Sequence, residues 1–233
     1  MTLNKQITQY LQKQGATKVA YADITDATIM EGLNTGIIYY TAYTPQTIQT
    51  MKNAPSKEYA EALQKMNNKL DQIAIKCEQH LQNMGYKAHA QTRKRLGTDF
   101  GENNQFPLPH KTIATKAGLG WIGKSALLVT PQHGTALRLT SILTNAPLKT
   151  DTPITQSQCG KCKQCQQACP AQAIKGPNWN TKTTRKQIYD DKKCKKYAQQ
   201  IAQQKLNKKE IICGKCIYAC PHTQKYMKKG IKD

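Results

Sequence analysis

Eight of the nine cysteines in this chain of 233 residues fall into two sets. Cys159, Cys162, Cys165 and Cys169, followed by Pro170, are spaced C-x2-C-x2-C-x3-C-P. Cys194 comes next, then Cys213, Cys216 and Cys220 with Pro221 after it. The first spacing is that of bacterial ferredoxins, in which the fourth cysteine ligates the other cluster. Three thiolates at i, i+3 and i+6 can curl around one face of a cubane, while the fourth points away and its proline redirects the backbone. Cys159, Cys162 and Cys165 are therefore assigned with Cys220 to one [4Fe–4S] cluster. Cys169, Cys213 and Cys216 are assigned to a second, and Cys194 is the cysteine left to complete it. Paired C-x2-C steps also mark zinc ribbons. A ribbon needs neither the third C-x2-C step nor the two Cys-Pro endings. A disulfide framework fits less well, because no secretory signal opens the sequence and a chain of this length needs no covalent staples. Two clusters make electron transfer the expected chemistry.

The rest of the composition bounds the partners. Formal charge is +21, from 35 basic and 14 acidic residues, and mean hydropathy is −0.68. Residues 1–150 hold 17 Lys and Arg against 9 Asp and Glu, and residues 151–233 hold 18 against 5. Two thiolate-bound clusters would remove roughly 4 units of that charge. The surplus suits an anionic partner such as tRNA, and equally a solvated lysine-rich surface. No apolar run is long enough to span a bilayer. Thiolate metal sites without an export signal fit a reducing cytoplasm.

Around the cysteines, the periodicity predicts an α/β domain over residues 1–148 and a ferredoxin-like domain over 149–233. Helices are expected over Asn4–Gln14, from Ser56 to about Met84, and over Lys111–Ala117. Strands are expected over Lys18–Ile24, Gly36–Thr44 and Tyr86–Thr92, with a strand pair Ala126–Thr130 and Ala136–Ile142 around Pro131–Gly134. Tyr59, Leu63, Met66, Leu70, Ile73, Cys77, Leu81 and Met84 make one apolar face of the long helix. Cys77, the ninth cysteine, is thereby a buried inert thiol. Asn145–Gln158 is expected to link the domains, and Lys195–Lys209 to be a Lys- and Gln-rich helical spacer.

The second chemical signal is Lys116-Ala-Gly-Leu-Gly-Trp-Ile-Gly-Lys124. A dinucleotide loop requires a strand before G-x-G-x-x-G and a helix after it, and here a helix precedes. Closely spaced glycines still allow a flat ligand to approach the backbone, or a tight turn from helix to strand. Together with Leu127-Leu-Val-Thr-Pro131, Leu143-Thr144, Ala146-Pro-Leu148 and both cysteine sets, this stretch resembles the epoxyqueuosine reductase family. The resemblance covers about half of the chain. It implies a mixed α/β domain of the cobalamin-binding type followed by a bacterial two-[4Fe–4S] ferredoxin-like domain. It implies further that the clusters feed electrons to cobalamin, which deoxygenates an epoxide on a tRNA anticodon base. Gly118, Gly120, Trp121, Gly123, Lys124, Leu128 and Leu139 are the residues matched to the corrinoid.

Two positions depart from the family pattern. The family's catalytic aspartate falls at Asn104, and an amide cannot donate a proton as a carboxylic acid does. Asp99 and Glu102, on the same loop, and His110 are the substitute acids at hand. Full-length members also continue into a helical-repeat tail that helps grip tRNA, whereas this sequence ends at Asp233, so short homologues are the expected match. The expectation is a monomeric cobalamin-dependent reductase fed by a flavodoxin- or ferredoxin-type donor. The alternatives are an electron-transfer protein that reduces a partner's corrinoid and a nucleic-acid-binding module with structural clusters.

Overall fold

The computed structural model describes residues 1–27, 30–98 and 108–231. Contacts divide the chain into two compact units. One consists of Met1–Thr41, Lys65–Leu119 and Arg138–Ile154; the other consists of Ala42–Gln64, Gly120–Leu137 and Thr155–Asp233. The units therefore do not follow the expected boundary at residue 148. The reason is visible inside the second unit, where segments distant in sequence are tied to the cysteine region. Tyr226 Oη donates to Tyr43 O at 3.1 Å, and Lys205 Nζ donates to Asn53 O at 2.8 Å. Thr135 N donates to Thr223 Oγ1 at 3.0 Å.

The first unit is built on a four-stranded sheet in the order β1-β2-β6-β3. These strands are β1 (Lys18–Asp23), β2 (Thr35–Ala42), β3 (Ala88–Ala90) and β6 (Leu137–Thr144). β1 pairs antiparallel with β2, Lys18 opposite Tyr40, and β3 pairs antiparallel with β6, Ala88 opposite Thr144. β1 is buried along its four central residues and β2 along its first six. Strands covered on both faces are expected to be apolar throughout rather than alternating. Ile37, Ile38, Tyr39 and Tyr40 meet that demand.

Two helices supply most of the rest of this core. α1 (Leu3–Lys13) is capped by Thr2, whose side chain accepts from Lys5 N, and it buries Ile7 and Leu11. α3 (Lys57–Asn83) starts where Ser56 Oγ accepts from Tyr59 N at 3.1 Å. Its face closes over the sheet through Leu70, Ile73, Cys77 and Leu81, in one cluster with Ile7, Leu11, Val19, Ile37 and Tyr39. Burial pushes the Cys77 thiol up to about 12, which keeps it protonated and inert. Met84, the last residue of the predicted face, is exposed. Two polar side chains on α3 are buried where periodicity shows only helix. Glu78 holds Arg95 Nη1 at 2.6 Å and accepts from Ala90 N at 2.9 Å. Asn67 Oδ1 accepts from Arg138 Nε at 2.9 Å.

The expected strand pair around Pro131–Gly134 does not form. β5 (Leu128–Val129) pairs instead with β4 (Trp121–Ile122), and β6 lies between β2 and β3. Among the described residues, the isolated bridge from Thr130 to Gly134 closes only the turn between the two segments. β6 is buried along most of its length, and such a strand gains more from two neighbours in a sheet than from one hairpin partner. The remaining helices are α2 (Pro45–Thr50), α4 (Arg93–Thr98), α5 (His110–Lys116), α6 (Gln164–Gln167), α7 (Arg185–Ile188), α8 (Asp191–Leu206), α9 (Lys215–Tyr218) and α10 (Pro221–Lys229). A 3-10 turn covers Met51–Asn53. No helix among the described residues is long and apolar enough to cross a membrane.

Leu81 has no exposed surface and lies in the middle of the first unit's core. Leu81→Ala is expected to lower the unfolding free energy by about 2–5 kcal/mol. Urea unfolding followed by circular dichroism measures it; an unchanged midpoint would mean that α3 is not packed as described.

Candidate metal centre and glycine loop

The two cysteine sets are delivered by a repeated local device. Cys159-Gly-Lys-Cys162 and Cys213-Gly-Lys-Cys216 are the same four-residue sequence. In each, the glycine is left-handed, with φ of 52° at Gly160 and 88° at Gly214. Glycine takes that conformation at no steric cost, so the chain can reverse directly after the first ligand. A short helix then follows each turn, α6 carrying Cys165 and α9 carrying Cys216, and the two helices pack on each other. Cys220 caps the start of α10 with Pro221 in its first position, where the missing N–H costs nothing. Cys194 comes from α8, whose N-cap Asp190 accepts from Lys193 N at 3.0 Å.

The sulfurs gather as the spacing requires. Cys159, Cys162, Cys165 and Cys220 line one cavity of about 130 Å³, together with Gly123, Lys124 and His222. Burial, and then the sulfurs of Cys159, Cys220 and Cys162, push the Cys165 thiol up to about 11. The second set is defined the same way. Cys216 is raised by burial first and then by Cys213, Cys194, Cys165 and Cys169. Cys213 is raised by burial, against a hydrogen bond from the Lys215 backbone, and also by Cys194 and Cys169. The influence of Cys165 on Cys216 brings the two sets within electrostatic reach of each other.

The size and spacing of the first site discriminate between metals. Among the described residues, no three His, Cys, Asp or Glu side chains converge closely enough to hold a single metal ion. A zinc site requires four ligands within about 2.3 Å of one point. Instead, four cysteines from two separate stretches of the chain line one cavity. Sulfurs spread around a larger volume suit a multi-atom cluster rather than a lone ion. Other groups tune the ligands. Ala173 N donates to Cys169 Sγ at 3.4 Å, and the Tyr189 hydroxyl, its pKa raised by burial, is hydrogen-bonded with Cys194. Spacing rules carry no signal for either contact.

The glycine loop is divided between the units. Gly118 lies in the first, with Leu139, while Gly120, Trp121, Gly123, Lys124 and Leu128 lie in the second. A helix, α5, leads into it, and β4 follows, so it is not a dinucleotide loop. A Cβ at Gly120 would collide with Val129 O, and one at Gly123 would lie 3.6 Å from Cys159 Sγ. Lys124 is buried, and its Nζ donates to Cys162 O at 2.9 Å. That lysine therefore braces the first cysteine turn. Trp121 is 1% exposed, stacks edge-on against His222 at 5.2 Å, and has no partner for Nε1 among the described residues.

Of the proposed acids, Asn104, Asp99 and Glu102 lie outside the described residues. His110 opens α5 in the first unit, half-buried, with Nδ1 2.8 Å from Ser141 Oγ. Gln91 Nε2 donates to the same Oγ at 2.7 Å, so the Ser141 hydroxyl hydrogen is free to go to His110 Nδ1. Burial, with the charges of Arg138 and Lys111, lowers the His110 pKa to about 4. His110 is thus a neutral hydrogen-bond donor near neutral pH rather than a charged acid. Sequence reasoning found His110 but not Gln91 and Ser141, which are ordinary polar residues until the fold buries them beside it.

Two outcomes are expected. Cys165→Ala should lower the iron and acid-labile sulfide of anoxically purified protein by about half, while Cys77→Ala leaves both unchanged. Equal iron in the two variants would refute the ligand assignment. The folded His110 pKa lies below that of an unfolded histidine, so the unfolded chain binds more protons in the interval between them. Its stabilising contribution is present above about 6.5 and lost as pH falls through about 4. In His110→Gln that part of the acid destabilisation should vanish, as measured by urea midpoints across the same interval.

Comparison with known proteins agrees with this geometry. Residues 158–223 match the family described as a 4Fe-4S double cluster binding domain. An epoxyqueuosine reductase of Aliivibrio fischeri is 33% identical over 109 residues, which is 47% of this chain and 26% of that protein. The chain thus matches about a quarter of that relative's length. An epoxyqueuosine reductase crystallised with a tRNA-Tyr epoxyqueuosine-modified stem loop shares the fold at TM-score 0.61 and 19% identity, over 95% of this chain and 65% of that one. The catabolic reductive dehalogenase NpRdhA, in complex with 3-bromo-4-hydroxybenzoic acid, gives TM-score 0.70 at 19% identity, over 97% of this chain and 32% of that one. A dehalogenase structure of the same kind is described as bearing on B12-dependent dehalogenation. Over about half of its length the chain is thus similar to epoxyqueuosine reductases, and residues 158–223 carry the match to a 4Fe-4S double cluster binding domain.

Proposed function

We propose that the chain is an iron–sulfur oxidoreductase of the epoxyqueuosine reductase type, passing electrons from two [4Fe–4S] clusters to a bound cobalamin for reductive chemistry. The observation that carries this reading is the shared wall of one cavity. Gly123 and Lys124 of the glycine loop line it beside Cys159, Cys162, Cys165 and Cys220. A redox site and the loop matched to the corrinoid are therefore neighbours in one unit.

The residues present suit a corrinoid. Gly120 lets the loop backbone pack directly on Val129 of β5, which fixes the course of the chain into Trp121. Trp121 keeps a buried N–H that has no acceptor among the described residues, and a ligand carrying amide side chains could supply one. Cobalamin would contribute a metal that can be reduced to a strong nucleophile, the chemistry required to open an epoxide. The chain's own contribution is binding and order. Lys124 locks the Cys159–Cys162 turn, and the Ala173 N–H and Tyr189 hydroxyl stabilise sulfurs of the second set. An epoxyqueuosine-bearing tRNA is the proposed substrate, in keeping with the net charge of +21. Asn104 at the family's aspartate position favours one second reading, an electron-transfer protein that reduces a partner's corrinoid.

Anoxic purification followed by cobalamin titration tests the proposal. The corrinoid spectrum should shift on binding, and Trp121→Phe should weaken retention about tenfold by removing one buried N–H. An unshifted spectrum would overturn the corrinoid reading. Binding without turnover of epoxyqueuosine tRNA would select the electron-transfer alternative.

A further inference from the structure

We propose that α8 is the docking face for an acidic one-electron carrier protein, which delivers its electron at the second cysteine set. The inference rests on the cluster reading above and adds the place of entry. Cys194 lies on α8 with Lys192 and Lys193 before it and Lys195 and Lys196 after it. All four lysines are exposed, and Cys194 is half-buried. At about 100° per residue, Lys193 and Lys195 flank the face that bears the cysteine, and Lys192 and Lys196 cover the outer side. The inner face closes through buried Ala198 and Ala202. None of the four lysines forms a salt bridge among the described residues. Asp190 is occupied as the helix cap, leaving Asp191 as the only other carboxylate of that turn.

A second observation marks the same place. Ile211, two residues before Cys213, is 55% exposed. Cys213 is assigned with Cys194 to the second cysteine set, so the exposed side chain lies two residues from another ligand of the set that the lysine collar flanks on α8. Weak electron-transfer encounters use small interfaces, and charge on the rim steers the approach. The collar is positive, so the carrier that fits is negative, and a carboxylate-rimmed flavodoxin has that surface. The collar consists of lysines without an arginine fork, so it lacks the bidentate geometry favoured for phosphate recognition. In the encounter the carrier loses one electron, and the cluster held by Cys169, Cys194, Cys213 and Cys216 gains it.

The test uses the full chain with clusters assembled and reduced flavodoxin as the probe. Stopped-flow bleaching should show a rate that falls steeply with ionic strength, while reduction by methyl viologen radical cation does not. A variant combining Lys192→Glu, Lys193→Glu, Lys195→Glu and Lys196→Glu should lose roughly tenfold or more of the flavodoxin rate and of the affinity for oxidised flavodoxin. Its iron content should stay unchanged, and its rate with the cationic viologen should not fall. The single Ile211→Glu change, farther from the helix, should also weaken flavodoxin binding. Flavodoxin rates that ignore both salt and the substitutions would overturn the docking face. A variant that keeps those rates but loses salt-sensitive tRNA binding would reassign the collar to RNA. Iron and sulfide missing from the unaltered protein would instead refute the underlying cluster reading.

Discussion

Two groups of four sulfurs must converge from positions as distant as Cys159 and Cys220, and the second unit is organised to make that possible. Its helices near the ligands are short, four residues each in α6, α7 and α9. Its buried apolar residues in the cysteine region are scattered and often small, among them Ala173, Ile174, Ala198, Ala202 and Ile217. A segment with so little apolar surface to bury needs another source of cohesion, and metal–thiolate bonds supply folding energy directly. Burial first, and then the neighbouring sulfurs, raise the Cys165 and Cys216 thiols, so gathered thiolates are unfavourable on their own. Positive iron at the centre of each group converts that repulsion into attraction.

The glycine loop serves this arrangement as well as any ligand of its own. Gly123 leaves room beside Cys159, and Lys124 donates to the Cys162 carbonyl. A buried ammonium is costly unless hydrogen-bonded, so Lys124 is held where its partner is. Trp121 lies two residues earlier with an unanswered N–H. The loop therefore has one end committed to protein contacts and one donor still open. That division is a physical basis for coupling a metal site to a bound molecule without a long connecting path.

Much of the fold was legible because single elements carry strong local signals. The long helix, its Ser56 cap and its Leu70, Ile73, Cys77 and Leu81 face follow from periodicity and capping alone. Glu78 and Asn67 were not legible, since their burial depends on Arg95 and Arg138 arriving from elsewhere in the chain. The pairing of Ala126–Thr130 with Ala136–Ile142 failed for a related reason. Adjacent strands in sequence suggest a hairpin, but β6 found two partners in the larger sheet. The contiguous domain boundary failed because contacts, not chain order, define a compact unit.

Cysteine spacing alone pointed to the eight sulfurs that could serve as ligands, because reach along a short turn is set by covalent geometry. It also marked the glycine loop, since steric freedom belongs to the residue itself. Only the tertiary structure decided that Lys124 braces a cysteine turn and that Gln91 and Ser141 come to lie beside His110. Those outcomes depend on which backbone carbonyl, hydroxyl or sulfur comes to lie within a few ångströms, and such proximity between remote residues has no counterpart in linear order.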